Sequence, residues 1–432
     1  MQLKGDALSV DFTSLPKTEL EKKKQSLQER YRDFQAKKLN LNMARGKPGT
    51  DQLRLSEEML NILTSDSNLH ASTGEDCRNY GLPNGLPELR TIFAQMMDVD
   101  ADHVILGGNS SLNMMFDTVS LGMTKGFGGC EPWGRQDHLK FLCPSPGYDR
   151  HFAVTEYFGF ELITVKMTPE GPDMDEVEEY VKDPTVKGMW CVPKYSNPTG
   201  ITYSDETVRR IANLKPAAKD FRIFWDNAYC VHDLTDTPDH LLSLWDECKK
   251  AGTLENVFFF ASTSKITFPG AGIAAMACGD ENYKQLRRRN SFQTIGPDKL
   301  NELRHLYFLK DFNGVKAQMA KHRALLEPKF HTVLSKLEKE LSGKGVATWS
   351  KPNGGYFISV DVLPGCAKRV VQLCAEAGVK LTDAGATFPY GKDPQDSNIR
   401  VAPTFPPISE LEQAMELFCI SVQLAAVEKL LA

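Results

Sequence analysis

Val257-Phe258-Phe259-Phe260-Ala261-Ser262-Thr263-Ser264-Lys265 runs from aromatic and aliphatic residues straight into hydroxyls and a lysine, and a glycine-rich turn, Phe268-Pro269-Gly270-Ala271-Gly272, follows. A short apolar run without polar alternation is what a strand buried on both faces looks like. Similar runs occur at 103–106, 139–143, 162–167, 189–193, 223–225 and 273–277, separated by helical or loop segments. That rhythm predicts an α/β protein whose mostly parallel sheet carries helices on both faces.

Outward from this region, residues 17–37 are rich in Lys, Glu and Gln with Leu20, Leu27, Tyr31 and Phe34 at helical spacing, which predicts one amphipathic helix. Residues 298–340 read as a charged helical stretch, 355–360 and 398–401 as strands, and 410–431 as a closing helix, together a smaller α+β block. A chain of 432 residues exceeds what one core usually holds. The expected division is an N-terminal segment of the small domain at 1–60, a large domain at 61–310 and a C-terminal small domain at 311–432.

Charged residues make up 25% and hydrophobic residues 41%, with a formal net charge of -5. This is ordinary globular composition and offers no basic surface for nucleic acid. The Met1–Leu20 stretch has no positively charged start followed by an apolar run, and no segment approaches the length of a membrane span. The ten cysteines form no Cys-x-x-Cys pair, and Cys143 and Cys191 end apolar runs, so buried thiols in a reducing, cytoplasmic compartment are expected.

In open α/β sheets ligands sit beyond the carboxyl ends of the strands, so the polar residues after each apolar run are the candidates for chemistry. Lys265 follows one such run, where burial favours the neutral amine that attacks an aldehyde, and Ser262 and Ser264 can hold a neighbouring phosphate. Asp226 ends Ile223-Phe224-Trp225 and needs a cation there, such as a protonated ring nitrogen; an ordinary helix cap is the alternative. Asn197 lies in Tyr195-Ser196-Asn197-Pro198-Thr199-Gly200, either a tight turn that aims its amide or a turn only. Gly107-Gly108-Asn109-Ser110-Ser111 precedes a helix and offers free amides to phosphate, or simply caps that helix. Arg400, inside Asn398-Ile399-Arg400-Val401, is either a fork for a substrate carboxylate or half of a structural ion pair.

These five pieces, in this order, resemble the active-site motifs of fold-type I pyridoxal-phosphate aminotransferases of class I/II. Ala44-Arg45-Gly46-Lys47-Pro48, Tyr80-Gly81-Leu82-Pro83-Asn84-Gly85, Pro144-Ser145-Pro146-Gly147-Tyr148-Asp149-Arg150-His151 and Asn398-Ile399-Arg400-Val401-Ala402-Pro403 are similar to a bacterial aspartate aminotransferase branch related to MocR-type aminotransferase domains. The resemblance implies a large domain with a seven-stranded sheet, a smaller α+β domain, and pyridoxal 5'-phosphate held covalently by Lys265. It implies that Lys265 moves the substrate proton, that Asp226 faces the pyridine nitrogen, and that Asn197 and Tyr229 bond the ring oxygen while Tyr148 stacks on the ring. Asn109, Ser110, Ser111, Ser262 and Ser264 would surround the phosphate, with Tyr80 reaching the phosphate of a neighbouring subunit in a homodimer. Arg400, Asn197 and the backbone at Gly46 would take the substrate, Arg400 and Gly46 holding its α-carboxylate. Relatives of this kind place an arginine seven or eight residues after the lysine, where this chain has Gly272 and Ile273, so some phosphate charge must be met otherwise.

The implied reaction moves an amino group from L-aspartate to 2-oxoglutarate, with amino acids and 2-oxo acids as partners and neither nucleic acid nor membrane involved. Aromatic amino acids, kynurenine or alanine as donors, a β-lyase activity, and a cofactor-binding regulator without turnover stay open as alternatives. A nicotinamide dehydrogenase would need a glycine fingerprint that is missing. For a side-chain carboxylate, the basic stretch Arg287-Arg288-Arg289 and Lys299 are the candidate cations, or else a solvated helix face.

Overall fold

The computed structural model describes residues 10–432. Residues 1–9, the first part of the stretch read for a leader and of the 1–60 segment, lie outside the described residues. The strands are β1 (Leu41–Asn42), β2 (Val104–Leu106), β3 (Lys140–Ser145), β4 (Glu161–Thr168), β5 (Gly171–Pro172), β6 (Val186–Cys191), β7 (Arg222–Asp226), β8 (Val257–Ser262), β9 (Ala274–Cys278), β10 (Ala347–Trp349), β11 (Ile358–Val362), β12 (Val379–Lys380) and β13 (Asn398–Val401). The helices are α1 (Lys17–Ala36), α2 (Thr50–Arg54), α3 (Pro87–Met97), α4 (Ser111–Lys125), α5 (Asp149–Tyr157), α6 (Met174–Tyr180), α7 (Asp205–Ala212), α8 (Leu244–Ala251), α9 (Asp280–Gln293), α10 (Lys299–Leu309), α11 (Phe312–Leu341), α12 (Ala367–Glu376) and α13 (Ile408–Leu431).

The central sheet has the order β2-β9-β8-β7-β6-β3-β4-β5. Strands β8, β7, β6, β3 and β4 are parallel, whereas β9 runs antiparallel to both β8 and β2. The sheet thus has eight strands where seven are expected, the extra one being the two-residue β5 folded back on β4. Strands β6 and β7 are buried along their whole length, which is why their sequences show no alternation. Because β2 runs in the same sense as β8, the loops after β2, β3, β6, β7 and β8 leave the sheet on one side, where the candidates around Gly107, Asn197, Asp226 and Lys265 gather, whereas Arg400 lies in β13 of the three-stranded sheet.

Apolar clusters fill both faces of the sheet. A third cluster joins α1 through Leu20, Leu27, Tyr31 and Phe34 to α12, α13 and the antiparallel strands β10-β11-β13. The long charged stretch is two helices: Lys310 takes a positive φ of 66°, and the Asp311 side chain caps α11 by accepting from the Gly314 N–H. Helix α11 contributes Val315 and Met319 to the sheet core but Leu326, Phe330, Val333, Leu337 and Leu341 to the third cluster, with Pro328 between Leu326 and Phe330.

Candidate active site

Lys265 stands in the turn that leaves β8 and lines a cleft of about 720 Å³ together with Gly46, Tyr148, Asn197, Tyr229, Phe357 and Arg400. Its amine lies 4.9 Å from the centre of the Tyr229 ring. Burial pushes the Lys265 amine below the ordinary lysine range, and the Asp226 carboxylate opposes that fall. Beside it, the Ser262 hydroxyl donates to Ser264 Oγ at 3.0 Å, and the Ser264 hydroxyl donates to the Asn109 carbonyl at 3.3 Å. The Asn109 amide in turn donates to the carbonyls of Pro269 and Gly270, both at 3.3 Å. The Gly107–Ser110 loop and the lysine turn are therefore one unit. Ser110 sits at the start of α4 without a side-chain cap bond, and Ser111 is the first residue of that helix, so the leading amides of α4 are open to an anion.

Asp226 is the last residue of β7, and a turn rather than a helix follows it, which removes the helix-cap alternative. Its Oδ2 meets His151 Nε2 at 2.9 Å, while Oδ1 is buried with no partner among the described residues. An ionised oxygen left in that position is costly unless a cation arrives, which a protonated ring nitrogen would be. His151 stacks on Trp190 with centroids 4.5 Å apart and planes at 12°, and Tyr148 meets its ring edge-on at 4.8 Å. Burial pushes the Tyr148 phenol up to about 12 and also raises that of Tyr229, so both stay as O–H groups. The sequence reading gave His151 no role. The signal was the spacing of Tyr148 and His151 at the start of α5, three residues apart and so on one face.

Arg400, in β13, is 7% exposed. Its Nη1 donates to Asp149 Oδ1 at 2.8 Å and to Asn197 Oδ1 at 3.2 Å. Nε is buried without a partner among the described residues, and the guanidinium carbon lies 5.0 Å from the Phe357 ring centre. The ion pair held open as an alternative is thus present, yet the guanidinium still lines the cleft. Asn197 spends its carbonyl oxygen on Arg400 and keeps its amide to donate. At Gly46 a β-carbon would stand 2.4 Å from Phe357 Cζ, so only glycine lets this loop close over that ring.

Tyr80 is 75% exposed and does not line its own chain's cleft. The basic stretch also lies elsewhere. Arg287 and Arg288 line a separate pocket with Pro83 and Asn84, Arg289 pairs with Asp117 at 3.1 Å, and Lys299 is buried. Arg289 does share a smaller pocket with Gly107, Gly108, Asn109 and Ser110. The cations that line the Lys265 cleft besides Arg400 are Arg45, Lys47, Arg150 and Lys380, none of which the sequence reading assigned.

The family described as aspartate amino-transferase matches residues 15–432. An aspartate aminotransferase of Corynebacterium glutamicum is 44% identical over 94% of each chain. The crystal structure of an aspartate transaminase from Corynebacterium glutamicum superposes with a TM-score of 0.95 at 43% identity, covering 98% of this chain and 100% of that one. The α-aminoadipate aminotransferase LysN of Thermus thermophilus shares the fold, with a TM-score of 0.72 at 19% identity over 90% of this chain and 93% of that one. With its sheet-end lysine, its buried aspartate and these relatives, the chain belongs to the aspartate amino-transferase family and is a pyridoxal-phosphate-dependent aminotransferase of fold type I.

Proposed function

We propose that this enzyme transfers the amino group of L-aspartate to 2-oxoglutarate, giving oxaloacetate and L-glutamate. The observation that carries the proposal is the charge of the cleft: Arg45, Lys47, Arg150, Lys380 and Arg400 line it against Asp149 and Asp383. That excess suits substrates with two carboxylates, whereas alanine or an aromatic amino acid brings one. The named aspartate aminotransferase at 44% identity supports the same reading.

When bound, pyridoxal 5'-phosphate supplies an aldehyde that exchanges nitrogen with the substrate and a ring that withdraws electrons from the substrate Cα. Lys265 would hold the cofactor, and its amine is the group placed to take the substrate Cα proton and to give it back. Asp226, oriented by His151, offers its free Oδ1 to the ring nitrogen. The Asn197 amide and the Tyr229 hydroxyl would donate to the ring oxygen, and Tyr148 would cover the ring face. Asn109, Ser110, Ser111, Ser262 and Ser264 surround the phosphate with hydroxyls and the leading amides of α4. Arg400 takes the α-carboxylate, assisted by the backbone at Gly46, which packs against the same Phe357 ring. Both half-reactions use these residues, amino acid in and 2-oxo acid out, then the reverse.

In this proposal Tyr80 reaches the phosphate of a second copy, which makes the unit a homodimer. We place the small domain at 1–60 with 311–432 and the large domain at 61–310, with Val315 and Met319 of α11 reaching from the small domain into the sheet core. The free cysteines, all buried except the part-buried Cys130 and Cys230, favour a reducing compartment, the cytoplasm. No described helix is long and apolar enough to cross a membrane. The test is the visible spectrum of the holoenzyme before and after aspartate, with oxaloacetate assayed and alanine, tyrosine and kynurenine compared as donors. A donor with one carboxylate that outperforms aspartate in kcat/KM overturns the substrate assignment.

A further inference from the structure

Arg400 is held on one side only. Its Nη1 is shared between Asp149 Oδ1 at 2.8 Å and Asn197 Oδ1 at 3.2 Å, whereas Nε and Nη2 meet no protein acceptor among the described residues. The Phe357 ring lies against the guanidinium, and the closely packed Gly46 loop fixes that ring from behind. A buried guanidinium that kept its full rotational freedom would present its donors in many directions, and a planar carboxylate pairs well with only two parallel N–H bonds.

Asp149 belongs to a different part of the fold from Arg400. It is the first residue of α5, next to Tyr148 and two residues before His151, while Arg400 is in β13. A carboxylate at a helix start is favourably placed, because the leading N–H groups of α5 face it. The pair therefore ties the arginine to the same helix start that supports Asp226 through His151.

Resting on the reading of Arg400 as the α-carboxylate site, we propose that Asp149 is a positioning residue that occupies Nη1 of Arg400 and leaves Nη2, which is neither enclosed nor bonded to protein among the described residues, as the donor for the substrate carboxylate. Asp149 stays on Nη1 when substrate arrives. The incoming carboxylate takes Nη2, and the second anion beside the guanidinium is tolerated because Arg45, Arg150 and Lys380 line the same cleft. Asp149 touches neither the cofactor nor the reacting atoms in this arrangement, so its loss weakens carboxylate binding more than the chemical step.

The test measures binding of butyrate and of succinate to the holoenzyme by calorimetry, beside KM and kcat with aspartate, in Asp149→Ala, Asp149→Ser and Asp149→Asn. Serine suits a helix start but is too short to reach Arg400, so it guards against a folding defect in the alanine variant. Alanine and serine should each weaken both ligands and raise KM by about tenfold, the worth of one charge-assisted hydrogen bond, with kcat changed by less than about threefold. Asparagine still offers Oδ1 to Nη1 and should return binding to within about threefold of the parent. Unchanged or tighter butyrate binding in both the alanine and serine variants overturns the proposal, because Asp149 would then be a helix-start acid or a competitor of the substrate. Asparagine behaving as badly as alanine also overturns it. If Arg400→Gln binds butyrate as well as the parent, the reading of Arg400 falls and this proposal with it. A parent enzyme that binds butyrate through Arg400 but does not turn over aspartate defeats the substrate assignment alone.

Discussion

Lys265 has to be an amine rather than an ammonium ion to capture an aldehyde, and its surroundings supply that condition. Burial lowers its pKa, so on raising the pH the neutral form is reached earlier than for an exposed lysine. The rate at which apo-enzyme takes up pyridoxal 5'-phosphate should therefore rise with pH and level off below the ordinary lysine value of about 10.4. A rate still climbing beyond that point contradicts the assignment. Lys265→Ala should lower kcat by at least about 10²–10⁴-fold, the usual worth of a positioned acid–base group, and abolish borohydride trapping of the cofactor on the 262–268 peptide. Gly46→Ala forces a methyl group into Phe357, which lies against Arg400, so KM should rise while kcat changes less. Saturation kinetics for the donor and for the oxo acid would check this. Lys265, Asp226, Asn197 and the Asn109–Ser111 loop, which end or follow buried strands, were legible in the sequence because a strand end is a local signal. Asp149 and His151 were not, since their meaning depends on partners 251 and 75 residues away.

Two of the buried titratable groups of helix α10, His305 and Glu302, have opposite effects on stability. Burial depresses His305 to about 4, with Nδ1 donating to the Asn301 carbonyl at 2.8 Å and Nε2 meeting the Thr267 hydroxyl at 2.9 Å. Burial raises Glu302 to about 7, and its Oε2 accepts from the Leu86 N–H at 2.8 Å. Between pH 6.5 and about 4 the unfolded chain protonates the histidine while the folded one does not, so His305 makes stability fall on acidification. Between about 7 and 4.5 the folded chain keeps a proton on Glu302 that the unfolded chain loses, so Glu302 makes stability rise on acidification. The two slopes, each at most about 1.4 kcal/mol per pH unit, nearly cancel where they overlap. Urea unfolding at pH 7 and pH 5 should show His305→Gln gaining stability on acidification relative to the parent, and Glu302→Gln losing it. Both variants moving in the same direction contradicts this account. At this scale the parallel strands were readable as unbroken apolar runs and helix α1 from its helical spacing. The antiparallel direction of β9 was not, because a buried strand looks the same in either sense. The break between α10 and α11 carried a readable cue, Asp311 three residues before Gly314, hidden inside a continuous charged pattern.

Across the whole molecule, large apolar side chains stand exposed at Tyr80, Phe292 and Ile295, at 75%, 83% and 64%. Apolar residues of this size in water mark a contact surface more often than chance. Light scattering should give about twice the 48.2 kDa chain mass, and Phe292→Glu should shift it toward the single chain and loosen the cofactor. A parent protein that scatters as one chain at micromolar concentration rejects the shared-site role of Tyr80. The sequence revealed the fold class through its strand rhythm, but it could not show how the two halves of the chain are joined. Helix α11 spans both, a rod of 30 residues and about 45 Å that is rooted in the sheet at Val315 and in the C-terminal core from Leu326 onward. Pro328 has no N–H to give the Ala324 carbonyl, which leaves one softened turn along an otherwise stiff shaft. Any swing of the Arg400 half toward the Lys265 half must flex or twist this shaft, so the width of the substrate entrance is geared to its curvature.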